Sequence, residues 1–421
     1  QTVDGPQEVN SEATIAFLQD SWQWNRWSLN LGVRAEQWQH FASTGEEIFT
    51  FDWEYAPRIS LSYDLKGDGR QRVSAYYGRY YDPVRNNMTQ FAGSLSGRTL
   101  EEQVYIGGQW LTYRTRGGPT QQDGFFAPTT QTPHTDEYQL GYKIDLGRNQ
   151  SFEANVIRRE TRDILEDFAP TVYLTGEDYP GPLDHPDSLF LGFEYFGFAD
   201  DPGANFIIAT LPGAERNWEA LELIYRKRLS NGWQALASYQ YADGEGNSNS
   251  DSFADFAGDF IEFDPRAPNV YGTQAGLVEH LFKVAGSYQW DNGLQAGGTY
   301  RWNSGVIVNR TAQLFGRNNP LTVPEGEEFE FAGFTHNWVA PGAVGTLENP
   351  SYGILDLRLA YLWRIGSRIE TDFFVDVFNV LDEQEAVQVQ DRVSGGDGVE
   401  FGEGLRFNDP RRFFLGARVR F

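Results

Sequence analysis

The chain has 421 residues, a formal net charge of −25 and no cysteine. The lack of cysteine excludes disulfides, thiol catalysis and cysteine-based zinc sites, and the acidic balance argues against nucleic acid as a partner, because nucleic-acid binding needs a basic surface. Mean hydropathy is −0.51, and no apolar run reaches the about 18 residues of a transmembrane helix.

Apolar and polar residues alternate along many segments, which is the pattern of β-strands with two different faces. A membrane-spanning strand needs only about 9–11 residues, of which every second one is apolar. The alternation is clear in residues 27–41, 55–65 and 138–146. In chain order it predicts 13 strands at 12–24, 27–41, 55–65, 70–81, 134–146, 150–165, 216–229, 232–243, 279–290, 293–304, 351–365, 368–380 and 410–421.

The C-terminal segment, residues 410–421, shows the alternation most clearly. One face of a strand here carries Phe413, Leu415, Ala417, Val419 and Phe421, and the other, which is mostly cationic, carries Arg412, Phe414, Gly416, Arg418 and Arg420. Such a strand suits a wall that meets lipid on one side and a wet lumen on the other.

The connections between the predicted strands alternate sharply in length. Short turns lie near 25–26, 66–70, 147–149, 230–232, 291–293 and 365–367, and long irregular segments lie at 42–54, 82–133, 166–215, 244–278, 304–350 and 381–409. Within the second long segment, residues 101–116 are predicted as a further strand or a loop hairpin. The whole pattern predicts an all-β protein, an antiparallel transmembrane β-barrel with short periplasmic turns and long extracellular loops.

The predicted strand count is odd, whereas single-chain bacterial barrels have even counts. The last strand follows a long loop, and the first leads into a short turn, so both run toward the periplasm. An odd number of strands must then precede the first. We therefore expect residues 1–421 to be the C-terminal part of a larger barrel, or one half of a split one.

Six segments also show a family resemblance when they are taken in order. They include Phe17-Leu18-Gln19-Asp20-Ser21-Trp22 within the hairpin 16–36, Tyr55-Ala56-Pro57-Arg58-Ile59-Ser60, and Asp376-Val377-Phe378-Asn379-Val380-Leu381; the others are 232–239, 293–298 and 410–421. In order and spacing these segments resemble the β-barrel of TonB-dependent receptors, in particular the Oar-like subgroup.

The resemblance implies an integral barrel of about 22 strands in the bacterial outer membrane. It implies uptake of a ligand that is captured by outer loops, with energy delivered through a TonB complex that displaces a plug. The implied partners are outer-membrane lipid, the TonB complex, a plug and earlier strands in the same or another chain, and barrel-assembly machinery that reads the last strand ending at Phe421. The family's plug and energy-coupling box have no counterpart in this sequence.

Three other readings stay open at this stage. The barrel could anchor a larger complex without transporting anything. It could be a plugless passive porin or a self-closed barrel of about 14 strands, in which the first strand would pair with residues 410–421. A soluble propeller or sandwich would also use many short strands.

The long segment 166–215 is the first candidate for ligand binding, because aromatic residues are frequent in recognition surfaces. The alternative is that these residues form a small core of the loop itself. The candidates are Tyr173, Tyr179, Phe193, Tyr195, Phe196 and Phe198.

Acidic residues in the segment 244–278 are candidates for calcium, which takes oxygen ligands from carboxylates. The candidates are Asp251, Asp255 and Asp259. Their spacing matches no EF-hand, so a solvated acidic loop is the alternative. No other cofactor is expected.

Charged residues on the polar stripes are expected to face the lumen, either as ligand contacts or as ion pairs between strands. They are Arg34, Glu36, Arg58, Asp64, Lys143, Asp145, Arg301, Asp356, Arg358, Glu370, Asp372, Arg418 and Arg420. Catalysis is not expected, because none of the 5 histidines has the spacing of a metal-dependent enzyme.

Overall fold

The structure is a computed structural model. It describes residues 2–3, 9–42, 45–82, 84, 86–89, 98–117, 124–168, 193–200, 202, 206–210, 213–248, 271–315, 335–339, 344–366, 369–391 and 398–421. Strands dominate the described part, and none of its helices is long and apolar enough to cross a bilayer.

The strands, in chain order, are β1 (Thr2–Val3), β2 (Asn10–Trp24), β3 (Trp27–Phe41), β4 (Glu47–Thr50), β5 (Glu54–Asp64), β6 (Gln71–Tyr81), β7 (Arg98–Ile106), β8 (Gln109–Gly117), β9 (Gly124–Phe126), β10 (His134–Gly147), β11 (Gln150–Arg162), β12 (Leu165–Phe168), β13 (Phe206–Thr210), β14 (Arg216–Ser230), β15 (Trp233–Gly246), β16 (Gly272–Thr273), β17 (His280–Gln289), β18 (Leu294–Asn303), β19 (Ile307–Val308), β20 (Thr311–Phe315), β21 (Thr335–Val339), β22 (Leu347–Glu348), β23 (Tyr352–Ile365), β24 (Ile369–Phe378), β25 (Ala386–Val389), β26 (Gly404–Phe407) and β27 (Arg412–Arg420). A short helix α1 (Asn86–Thr89) and a 3-10 turn (Phe193–Phe196) accompany them.

One large antiparallel sheet carries the fold. Its strands follow chain order, and its main path is β2-β3-β5-β6-β10-β11-β14-β15-β17-β18-β23-β24-β27. These are the 13 strands that the sequence predicts, and each next strand along the path pairs with the one before it. The segment 101–116 is the β7–β8 hairpin, which pairs with β1 in a separate sheet.

The register gives the sheet one apolar and one polar face. One row runs across seven strands from β10 to β23 and consists of Tyr142, Ala154, Leu223, Tyr239, Phe282, Trp302 and Gly353. The adjacent row consists of Lys143, Glu153, Ile224, Ser238, Lys283, Arg301 and Ile354. We call the two sides the apolar face and the polar face.

The apolar face is open to the surroundings rather than packed into a core. Leu140, Val156 and Leu359 lie on this face and are 62%, 56% and 51% exposed. A water-soluble sandwich or propeller would bury such side chains, because each Å² of apolar surface removed from water stabilises the fold by about 25 cal/mol. Their exposure contradicts the soluble alternative and fits a sheet whose apolar face meets lipid.

The short turns all lie at one end of the sheet, and local chemistry explains their shape. Asn231 and Gly232 both take positive φ, at 54° and 82°, which is the geometry of a two-residue hairpin turn. The longer turn after β5 is held by Asp64, whose carboxylate accepts N–H groups of Lys66, Gly67 and Gly69 at 3.2, 2.8 and 2.7 Å. These bonds, that of Gly69 first, hold the pKa of Asp64 below its ordinary value.

Lys227 is a charged residue on the apolar face near this end. Its side chain is almost fully buried, and its Nζ donates to the carbonyl oxygens of Arg228 and Ser230, both at 3.1 Å. The ammonium group also lies over the Trp233 ring, 4.7 Å from its centre. The stem covers apolar surface while the charge reaches the turn, as expected for a lysine at a membrane interface.

The described part of the main sheet is an open path rather than a closed ring. Among the described residues β2 pairs with β3 alone and β27 pairs with β24 alone. The pairing of the first strand with residues 410–421, which a self-closed barrel of about 14 strands requires, is therefore not found. The assignment of residues 1–421 to the C-terminal part of a larger barrel stays a prediction.

Candidate functional site

The polar face is a wall of ion pairs between neighbouring strands. Lys143 on β10 and Arg226 on β14 both bind Glu153 on β11, each at 3.3 Å. Arg358 on β23 lies 3.5 Å from Asp376 on β24. All thirteen charged residues that the sequence predicts for this face lie on it by register, and several of them form such pairs.

A band of charged and aromatic side chains crosses this wall near the end opposite the short turns. One register row joins Arg58, Gly78, Glu137, Arg159 and Trp218 on five consecutive strands of the path. The Arg159 guanidinium binds Glu137 at 2.6 Å and lies 5.0 Å from the centre of the Trp218 ring. The row therefore offers both charge and flat apolar surface to whatever enters the space in front of it.

Arg58 differs from Arg159, because it has no carboxylate within 4.0 Å in the described part of the chain. Its guanidinium lies 4.7 Å from the centre of the Tyr80 ring, and the hydroxyl groups of Tyr80 and Tyr76 are hydrogen-bonded. The sequence pattern singled out Arg58 but not Glu137, Arg159 or Trp218. Strand parity alone would have found those three, because each falls on the polar side of a correctly predicted strand.

Packed loop segments cover the wall at the end opposite the short turns. β4 folds back on β3, and its Phe49 stacks on Phe126 of β9 with ring centres 4.9 Å apart. β9 pairs in parallel with β13, so segments that are about 80 residues apart in sequence share one backbone ladder. Around this ladder lies an apolar cluster, which we call the mouth cluster; it consists of Trp38, Phe51, Val84, Phe126 and Ile208.

A second set of loop segments is fixed over β14 and β15. Leu277 and Ile307 pack on Ala220 and Ala242, which project from the polar face. Nearby, the Asn247 side chain accepts the N–H of Glu215 at 2.8 Å and donates to the carbonyl of Gly213 at 2.7 Å. Asparagine side chains thus tie loop backbone to the rim where no regular ladder does so.

The apolar face also changes character at this end. Beyond Tyr138 and Val156 the same face carries ion pairs: Arg79 binds Asp136 at 2.6 Å, and Arg158 binds Glu219 at 3.0 Å. On β3 the apolar stripe ends at Ala35 and continues as Gln37 and Gln39. The ends of these strands therefore stand above the apolar band, in the polar zone outside a bilayer.

The loop candidates from the sequence fall partly outside the described residues. Tyr173, Tyr179, Asp251, Asp255 and Asp259 lie there, as does the side chain of Tyr195. Among the others, Phe196 is 3% exposed, and its carbonyl accepts the hydroxyl of Thr129 at 3.2 Å. Phe193 in the same 3-10 turn and Phe198, two residues after it, are half-buried. A role in ligand binding for these residues stays a prediction.

Within the described ranges no group of three or more His, Asp or Glu residues is arranged to hold a metal ion. His134 lies 3.0 Å from Asp163 and 3.9 Å from Asp136, but these acids belong to the ion-pair layer above the apolar band.

The family follows from a comparison with known protein families. Residues 2–380 match the family described as TonB dependent receptor-like, beta-barrel. The chain belongs to this family. It is therefore an integral β-barrel protein of the outer membrane of Gram-negative bacteria, as the sequence predicts; its polar face lines the lumen, and the packed loop segments cover the outer mouth.

Individual relatives agree with this assignment. The TonB-dependent transporter Oar of Myxococcus xanthus is 22% identical over 430 residues, which cover 90% of this chain and 36% of Oar. This is the subgroup that the sequence resemblance indicates.

Solved structures share the fold. The siderophore receptor PiuA from Acinetobacter baumannii has a TM-score of 0.55 at 13% identity, covering 98% of this chain and 43% of PiuA. The ferric-catecholate import receptor Fiu from Escherichia coli K12 has a TM-score of 0.52 at 14% identity, covering 98% and 45%. The chain thus spans less than half the length of each of these three relatives.

Proposed function

We propose that this barrel wall belongs to a ligand-uptake receptor that is energised through a TonB complex, with outer loops that capture the ligand. The observation that carries the proposal is a lumen wall lined with charged and aromatic side chains beneath a mouth covered by packed loops. A receptor must retain a ligand at the mouth and then release it along a wet wall, and this arrangement suits both steps. No catalytic role is proposed.

The proposal includes the partners implied by the family: the TonB complex, a plug within the lumen, outer-membrane lipid around the apolar face, and barrel-assembly machinery acting on the strand that ends at Phe421. Family members of known structure include siderophore receptors, but the loops that set specificity differ between receptors. The ligand class is therefore left to experiment. Calcium binding at Asp251, Asp255 and Asp259 stays a prediction.

The test uses a host strain that lacks the gene and the same strain complemented with the full-length protein. Uptake is measured for labelled ferric siderophores, cobalamin, oligosaccharides and peptides, each with and without TonB. We expect the complemented strain to accumulate one of these classes, and loss of TonB to abolish the gain. Equal accumulation without TonB would indicate a passive porin. No gain with any class, together with stoichiometric co-purification of other proteins, would indicate a structural anchor.

A further inference from the structure

One ionisable side chain, His40, is enclosed in the loop layer. His40, near the outer end of β3, is 1% exposed, and neither ring nitrogen has a hydrogen-bond partner among the described residues. The ring meets Phe51 edge-on at 6.0 Å between centres. The residues opposite it in register are Ser11 on β2 and Phe49 on β4. A charged imidazole would lose its hydration here and gain nothing in exchange.

The ionisable groups on the neighbouring elements do not offset that loss. They include Glu12 on β2, Glu36 on β3, Glu47 on β4 with Glu46 before it and Asp52 after it, and Tyr81 on β6; burial alone accounts for the lowered pKa of His40. Glu36 is bound by Arg34 at 2.7 Å, and Glu47 accepts the Thr50 hydroxyl at 2.7 Å. Glu12 lies opposite Gln39, on the other face of the sheet from His40. The mouth cluster contains Phe126 from β9 and Ile208 from β13, and Leu165 of β12 packs against it, so these elements contribute apolar side chains.

His40 also lies where a local change would spread. The segment that covers it is β4 with Phe51, whose N–H donates to the Trp38 carbonyl at 3.0 Å. Phe49 on the same segment stacks on Phe126, and Phe126 pairs with Ile208 of β13. The covering segment therefore joins the wall to the loops that follow β6 and β11.

We propose that His40 is an acid-sensitive latch, and that protonation of its imidazole detaches β4 from the wall and loosens the loop layer over the mouth. The latch adds regulation to the receptor and does not depend on which ligand the receptor takes. The ligand would meet a more open mouth in an acidic medium than in a neutral one.

The direction follows from the linkage between protonation and conformation. Burial lowers the pKa of His40 from 6.5 to about 4 in the closed arrangement. In the detached arrangement the ring meets water and titrates near its ordinary value of about 6.5. The closed state thus binds fewer protons, and its stability is full above pH 6.5 and is lost progressively between pH 6.5 and pH 4. Between pH 7.5 and pH 5 the closed-to-open ratio should fall roughly 30-fold.

The latch is tested by measuring the distance between two nitroxide labels in the full-length protein in liposomes. The chain has no cysteine, so Asp52→Cys on the covering segment and Lys66→Cys at the opposite end of the barrel give a unique pair. Pulsed electron paramagnetic resonance from pH 7.5 to pH 4.5 should show a second distance between the labels, and the population with that distance should increase as the pH falls. In His40→Phe, whose ring fills similar space but does not titrate, the population with that second distance should not change with pH.

The matched control is His134→Phe, which removes a histidine at the outer end of β10 and should keep the pH response of the unaltered protein. If His40→Phe fails to insert, His40→Leu provides the same comparison. A distance distribution that does not change down to pH 4.5, or a response that survives in both His40 variants, would overturn the latch. Uptake is not measured here, so failure of the latch is distinct from failure of the proposed receptor function.

Discussion

Replacing Val284 by arginine places a charge in the middle of the apolar face. Val284 is the third of five positions that β17 presents on this face, and it lies between Ala237 on β15 and Tyr300 on β18. Ala285, the next residue, lies on the polar face between Leu236 and Thr299. Val284→Arg and Ala285→Arg introduce the same charge one residue apart, but on opposite faces of the sheet.

The expected difference is large. An arginine at the bilayer midplane on the lipid side of a barrel costs about 2–4 kcal/mol, which corresponds to roughly 30- to 1,000-fold in the unfolding equilibrium. Ala285→Arg places the guanidinium in a wet lumen that already holds many charges, so its cost should stay within about 0.5 kcal/mol.

Equilibrium unfolding by urea in phospholipid vesicles, followed by tryptophan fluorescence, gives both values on the same scale. Conversion of the folded band to the unfolded band on an unheated gel provides a second readout. Equal costs for the two variants, or a larger cost for Ala285→Arg, would show that the faces are assigned the wrong way round.

Three smaller changes test the turns and the rim. Gly232→Ala should lower the free energy of unfolding more than Gly69→Ala does. Both glycines take positive φ, but only at Gly232 would the new Cβ meet a backbone oxygen, at 2.9 Å. Equal losses of stability in a chevron analysis would contradict the clash. Asn379→Ala removes three hydrogen bonds between a 4% exposed amide and loop backbone, and the loss should be about 2–3 kcal/mol; unchanged protease resistance of the loop 380–411 would contradict it. Asp64→Asn should speed hydrogen exchange at the backbone amides of Lys66, Gly67 and Gly69. In the unaltered protein the same amides should lose protection as the pH falls below the ordinary carboxylate range. The reason is that the lowered pKa of Asp64 marks a stabilisation of the turn that is present above that range.

Much of the wall could be predicted from the sequence, because a period of two fixes both the strand and the face of each side chain. The predicted segment 134–146 and strand β10 nearly coincide for this reason. The exact ends of the strands depend on single residues. The predicted segment 150–165 ends early, at Arg162, because Asp163 takes a positive φ of 56°. The predicted segment 232–243 runs on to Gly246, where the side chain of Trp218 lies over Gly244.

The mouth could not be predicted in the same way. The parallel pairing of β9 with β13 joins two loop segments that have no periodic pattern, and it depends on three-dimensional proximity alone. The alternation places His40 in the second predicted strand, in agreement with β3, but its enclosure depends on β4, which the sequence treats as part of an irregular loop. The ion pairs of Glu137 and Glu153 depend on the register between strands, which the turns set and the alternation does not.

Solvent accessibility along β17 tests the central claim most directly, because that claim is the assignment of one face to lipid and the other to water. Single cysteines at positions 282–287, none of which is buried, each carry a nitroxide and are compared in liposomes for collision with oxygen, which concentrates in lipid, and with a water-soluble nickel complex. We predict that oxygen collisions dominate at positions 282, 284 and 286 and nickel collisions at 283, 285 and 287. An absence of alternation, or the opposite phase, would contradict the account.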